Sequence, residues 1–424
     1  MPRKPLAKQI AAAVIGNALE WYDFVVYGFL TVIISRLFFP GESDFVSLLL
    51  TMATFGVGFF MRPVGGVVLG IYADRKGRKA ALQLIIGLMT LSMAMIAFTP
   101  SHAAIGIAAP VIVVLARLLQ GFATGGEFAS ATSFLVEAAP AGRRGFYGSL
   151  QMVGQSLAAL CGAIAGTLVT RGLSAQQIDS WGWRLPFIFG LIIGPVGVYI
   201  RKHLMETEAF LESRQAHSRP AGSASPARHA RSLAVTFGLV ICGTISYYIV
   251  LVYTPTFAKT QLGMALGDAF TAQVAGLVCL TLAIPLFGAV SDRIGRKPVL
   301  IAATVASFAL LYPLFAWVYA VPSLARLTVM QVTLCTVVGV LFGPISTALA
   351  EQFPTGVRST GLAVAYNFAV MLFGGFAQFI VTWLIRVTGS PFAPAYYVMF
   401  GALIGFVAAV FLVERHREEH LPVT

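Results

Sequence analysis

Apolar residues fall into about twelve blocks, near 9–36, 45–72, 80–99, 105–137, 145–170, 184–203, 232–258, 268–290, 298–320, 323–350, 356–386 and 392–413. Short polar turns separate them. A helix needs about 20 apolar residues to cross a bilayer, so each block is read as one membrane-spanning helix, the longer ones tilted or extended beyond it. Six blocks precede residue 204 and six follow residue 231. Between them, 206–214 is charged and helix-competent, and 218–232 is a Ser/Pro/Ala-rich linker by composition. The pattern predicts an all-α membrane protein of two pseudo-symmetric six-helix bundles, 1–204 and 232–424. A cytoplasmic linker, 205–231, joins them, and a short tail follows the last span.

A repeated loop supports the duplication. Residues 70–79 read G-I-Y-A-D-R-K-G-R-K, and residues 288–297 read G-A-V-S-D-R-I-G-R-K. Both lie between apolar blocks, about half a chain apart. Gly77 and Gly295 suit tight turns. Asp74 and Asp292 can engage helix N-termini and the neighbouring Arg75, Arg78, Arg293 and Arg296. Tandem halves of this kind rock against each other around a site near the bilayer midplane. A role in setting topology alone is the competing reading for the arginines.

Composition agrees. Hydrophobic residues make up 58% and charged residues 11% of the chain, against roughly 45–50% and 25% in soluble domains. A soluble fold cannot hide that much apolar surface. The net charge of +12 invites a nucleic-acid partner, but most lysines and arginines lie in alternate connections. By the positive-inside rule this places both termini and the basic loops in the cytoplasm. The basic N-terminus leads into an apolar run of full membrane length that contains Glu20 and Asp23, a retained helix rather than a signal peptide. Cys161, Cys242, Cys279 and Cys335 all sit in apolar blocks without metal-ligand spacing, so no metal or disulfide is expected. No H-E-x-x-H, G-x-S-x-G or His/Cys cluster suggests an enzyme or a cofactor. Glycines at small-x-x-small spacing, such as Gly58, Gly65/Gly66, Gly121/Gly125 and Gly162/Gly166, allow helices to approach closely.

The two D-R-x-G-R-K loops resemble the signature of the major facilitator superfamily, where the loop holds the cytoplasmic side closed in one state. Narrower blocks follow in order: G-N-A-L-E-W-Y-D-F-V-V-Y-G at 16–28, R-P-V-G-G at 62–66 and R-L-L-Q-G-F-A-T-G-G-E at 117–127. R-R-G-F-Y at 143–147, W-G-W-R-L-P-F at 181–187 and E-T-E-A-F at 206–210 complete the series. Together they look like the metabolite:proton symporter branch, which includes carriers of citrate, α-ketoglutarate, shikimate, and proline or betaine. The resemblance spans the chain. It implies a gating role for Asp74, Arg75, Gly77, Arg78, Asp292, Arg293, Gly295 and Arg296, and a place in a bacterial inner membrane.

The ionisable residues within spans are Glu20, Asp23, Arg62, Arg117 and Glu127, all in the first half. Such charges are costly and usually face a cavity or a partner. No histidine is placed to relay a proton, so carboxylates must carry it. Glu20 and Asp23 share a helical stripe with Asn17 and Tyr27, and two close carboxylates resist simultaneous ionisation. Asp23 is the first candidate for proton coupling and Glu20 the second; a pair fixed by salt bridges is the alternative. At about 1.5 Å per residue Arg62 and Glu127 lie at similar depths and can form a structural ion pair. Arg117, permanently charged and bidentate, is the candidate for a substrate carboxylate, or else for a bridge to Asp23. Asn17, Tyr27, Gln120, Gln151, Tyr247, Tyr248, Tyr366 and Asn367 can complete a polar substrate cavity, although interfacial aromatics and inter-helix hydrogen bonds are the commoner use of such residues.

The resulting expectation is a proton symporter for a small organic anion, a di- or tricarboxylate such as citrate or α-ketoglutarate, that works as a monomer in the bilayer. Symport of a zwitterion such as proline or betaine, drug/proton antiport and a non-transporting sensor are the alternatives.

Overall fold

The computed structural model describes residues 6–76, 78–125, 127–191, 226–353 and 358–414, and every element it describes is helical. Eight helices are each long and apolar enough to cross a membrane. They are the second span (Asp44–Lys76), the fifth (Arg144–Gly172), the seventh (Ala230–Thr260), the eighth (Leu266–Ile294), the ninth (Arg296–Ala320), the tenth (Leu324–Glu351), the eleventh (Thr360–Thr388) and the twelfth (Ala393–Val410). The third is Arg78–Phe98, and the sixth begins at 185–191 before leaving the described residues. With the bent first span and the split fourth, eleven spans lie among the described residues, and the sixth is described only at its start. The expected linker, 205–231, lies outside the described residues up to 225. Its end is helix, because the helix that carries the seventh span starts at Pro226.

Four spans depart from simple rods, each for a local reason. The first bends by 65° between Phe29 and Thr31. There Leu30 leaves helical geometry (ψ 11°) and the Thr31 hydroxyl donates to the carbonyls of Gly28 (2.7 Å) and Tyr27 (3.3 Å). The fourth is split into Ala108–Ala123 and Glu127–Glu137. Its break falls on Thr124 and Gly125, and the Thr124 hydroxyl takes the carbonyls of Gln120 and Gly121. The seventh passes through a π-turn at Tyr247–Tyr253. Pro255 has no N–H to continue the ladder, and the Val250 carbonyl is taken instead by Thr254 Oγ1 (2.9 Å) and Gln331 Nε2 (3.2 Å). The eleventh has a second π-turn, Val370–Gly374, ending on Gly374–Gly375.

Glycines set the depth of packing. A Cβ at Gly121 would overlap the Gly58 carbonyl oxygen, and one at Gly125 the Arg62 carbonyl oxygen. The second and fourth spans therefore touch backbone to backbone, which brings Arg62 and Arg117 close behind the first span. A Cβ at Gly145 would sit 2.5 Å from the Gly288 carbonyl oxygen, so the fifth and eighth spans seam the halves in the same way.

Candidate functional site

Two buried guanidiniums organise the centre. Arg62 stacks over Trp21 (5.2 Å to the ring centroid), Phe24 (4.8 Å) and Phe59 (4.7 Å). Arg117 stacks over Phe24 (4.9 Å), Tyr27 (4.6 Å) and Phe55 (4.8 Å). Phe24 is therefore shared by two cations, and the aromatic faces supply attraction where water cannot. Phe55, Phe59 and Arg62 fall at helical spacing on one stripe, and Trp21 and Phe24 interleave with Glu20 and Asp23. That interleaving is the signal by which sequence could have found the cage.

Around Arg62 lies a small chamber lined by Asn17, Glu20, Trp21, Tyr366 and Asn367 together with Thr124, Gly125 and Phe128. Its volume of about 10 Å³ is on the scale of one water. Glu20 is thus placed with Arg62. The Tyr366 hydroxyl faces Arg62 and Gln155, and its ring stacks on Phe128 at 3.7 Å. Asn367 donates to the Gly125 carbonyl (2.9 Å). Asn17 and Gln151 are paired: Asn17 Nδ2 donates to the Gln151 carbonyl (3.0 Å) and Gln151 Nε2 to Asn17 Oδ1 (3.1 Å). The Glu127 side chain lies outside the described residues, as do Gly77 and the side chains of Asp74 and Arg78. The expected Arg62–Glu127 pair falls among these.

Asp23 is separated from this chamber. It is buried against the sixth span, where a Cβ on Gly190 would lie 3.1 Å from its Oδ1. Among the described residues it makes no hydrogen bond and no ion pair, although it lies within the field of Arg117. Arg117 Nη1 donates to Gln120 Oε1. Nε and Nη2 of Arg117, and Nε2 of Gln120, are buried without a partner. So are the hydroxyls of Tyr247 and Tyr248 and both amide atoms of Gln378, which the second half turns inward. Tyr248 packs edge-on against Phe55 and Phe59, and Tyr247 against Trp21 (5.7 Å). Tyr27 instead donates to the Thr51 carbonyl (3.3 Å). Buried polar groups are normally satisfied, so a cluster of unsatisfied ones marks a ligand's position better than composition does.

Both ends are bridged. At the end bearing the basic loops, Asp292 accepts from the amides of Gly145 (2.7 Å) and Phe146 (2.9 Å) at the fifth helix's N-terminus. Arg296 pairs with Asp292 (3.1 Å) and Glu351 (3.3 Å), and Arg358 with Glu137 (2.8 Å). Gly295 turns at φ 99°. Arg293 and Arg75 are exposed and stand apart from this lattice. At the opposite end Arg171 holds Asp268 (2.8 Å) and Thr271 (3.0 Å). Sequence reading missed Glu137, Glu351 and Arg171, because a span end does not announce its partner in another half.

Helical bundles bridged at both ends over buried charge define a two-half membrane carrier. The chain belongs to the Major Facilitator Superfamily, whose family model matches residues 14–366. It is 38% identical over 400 residues to a citrate-proton symporter of Salmonella typhi, covering 94% of this chain and 92% of that protein. It is also 34% identical to a glycine betaine/proline/ectoine/pipecolic acid transporter of Dickeya dadantii, covering 96% and 83%. Among solved structures the proton:xylose symporter XylE superposes with a TM-score of 0.79 over 96% of both chains at 19% identity, a likeness of fold. The protein is a multi-pass membrane transporter.

Proposed function

We propose that this protein imports a small di- or tricarboxylate, such as citrate or α-ketoglutarate, together with protons by alternating access. The single observation that carries the reading is the donor-rich cluster of Arg117 Nε and Nη2, Gln120 Nε2 and the Tyr248 hydroxyl, all buried and unpartnered. Carboxylates supply acceptors and no donors, and a planar guanidinium recognises them bidentately. The similarity to citrate-proton symporters agrees with this chemistry.

Coupling follows from charge. With Asp23 ionised, its field opposes an incoming anion at Arg117. A proton on Asp23 removes that opposition, and a substrate carboxylate becomes the counter-ion. Asp23 can take the proton without breaking a bond inside the protein, whereas Glu20, which sits in the Arg62 chamber, is the second candidate for it. Binding of both then favours release of the Asp292 latch and opening at the basic-loop end, which the charge distribution assigns to the cytoplasm with both termini. The halves 1–204 and 232–424 move about the 205–231 linker in one monomer of a bacterial inner membrane.

A zwitterion such as betaine needs open aromatic faces or a free carboxylate for its cationic end. Asp23 would offer such a carboxylate, but the cage faces beside it are already covered by Arg62 and Arg117, whose charges repel a cation and favour the anion. Counterflow in proteoliposomes tests this: labelled citrate or α-ketoglutarate should exchange and betaine should not. Exchange of betaine alone overturns the reading.

A further inference from the structure

The lipid-facing side of the seventh and twelfth spans carries a groove of about 440 Å³, lined by Ala234, Val235, Leu403, Val407 and Phe411 with Arg231 at its mouth. Its floor is a close approach of Gly238 to Ala408, where a Cβ on Gly238 would meet the Ala408 methyl at 2.8 Å. Leu403, Val407 and Phe411 form outward walls, each about half exposed. From Gly238 to Arg231, and from Leu403 to Phe411, the groove runs roughly 10–12 Å at about 1.5 Å per residue. That is most of one leaflet's share of a hydrocarbon core about 30 Å thick.

The mouth is positively charged. Arg231 Nη2 donates to the Phe411 carbonyl (3.1 Å) and Lys297 Nζ to the Val410 carbonyl (2.6 Å), so two cations gather at the last turn of the twelfth helix. Glu414, close by, accepts from the Lys297 main-chain amide (3.2 Å). Carbonyl oxygens leave both side chains with N–H groups to spare. An apolar slot one leaflet deep, ending in two cations at the basic-loop end, complements a lipid with a charged phosphate and no cationic headgroup.

We propose that this groove seats one acyl chain of an anionic phospholipid from the basic-loop leaflet, with its phosphate held by Arg231 and Lys297. Such a lipid braces the seventh span against the twelfth. The seventh span leads directly into the π-turn that carries Tyr247 and Tyr248.

Native mass spectrometry of the full chain, titrated with phosphatidylglycerol or phosphatidylcholine of identical chains, tests it. One phosphatidylglycerol should be retained at least about fivefold more tightly than phosphatidylcholine, the preference one basic residue near an anionic surface provides. Arg231→Gln with Lys297→Gln should abolish that preference. Ala234→Trp, at an exposed wall position, should displace the retained lipid of either type. Equal retention of the two lipids by the unaltered protein overturns the proposal. So does unchanged phosphatidylglycerol retention in both variants, or a photo-crosslinker at position 234 that captures residues of this chain's own linker instead of lipid.

Discussion

Asp292 in the second half caps the helix that begins beside Gly145 in the first, accepting from the Gly145 and Phe146 amides at 2.7 and 2.9 Å. One carboxylate thus meets both a helix dipole and two orphan N–H groups. The contact between the halves at this end depends on a charge that a single substitution can remove.

Asp292→Asn keeps the shape but loses the charge-assisted bonds, each worth about 1.5–3 kcal/mol. The basic-loop end should open more often. In a cysteine-free background, a reporter Ser149→Cys on the fifth-span seam should be alkylated several-fold faster in the Asn variant. Equal rates would show that the latch lies elsewhere.

Arg117→Lys retains the charge but not the planar stack between Phe24, Tyr27 and Phe55. Substrate affinity should fall at least tenfold, about 1.4 kcal/mol, and Arg117→Gln should fall further. Calorimetric titration with citrate provides the check. A lysine variant that binds as tightly as the native protein removes Arg117 from the substrate site.

Asp23 predicts a pH signature. In the native protein substrate affinity should rise as pH falls, because protonation lifts the anion's opposition to the substrate. Asp23→Asn mimics the protonated form, so its affinity should be flat with pH. It should still exchange substrate yet fail to accumulate it against a gradient. Glu20→Gln should leave the pH dependence in place; if it flattens the curve instead, the two roles are exchanged.

Gln378 and Tyr248 carry buried, unpartnered polar atoms. Gln378→Leu and Tyr248→Phe remove groups whose desolvation costs about 1–3 kcal/mol each. Both variants should be more heat-stable than the native protein and slower in uptake, a trade expected of a binding site. A variant that melts lower with unchanged transport assigns that residue to packing.

The all-helical membrane fold and the burial of Glu20, Asp23, Arg62 and Arg117 were legible in the chain because apolar length and intramembrane charge are local properties. The second copy of the repeated loop puts Asp292 against the first half's fifth helix. Pairings were harder to read. Glu20 and Asp23 share a stripe, yet one lines the Arg62 chamber and the other packs on Gly190. A helix stripe spans more than one neighbour, and the neighbours come from distant sequence.

By itself, then, the sequence determined which groups are buried and which end is basic, since the bilayer penalises charge and exposed backbone at every position alike. Only the tertiary structure decided which aromatic faces each arginine covers, which donors remain unpartnered, and how Asp292 meets Gly145. Those depend on glycine-to-glycine approaches and π-turns that bring separate spans into register. Such close packing is a property of pairs of helices and is not written in either one.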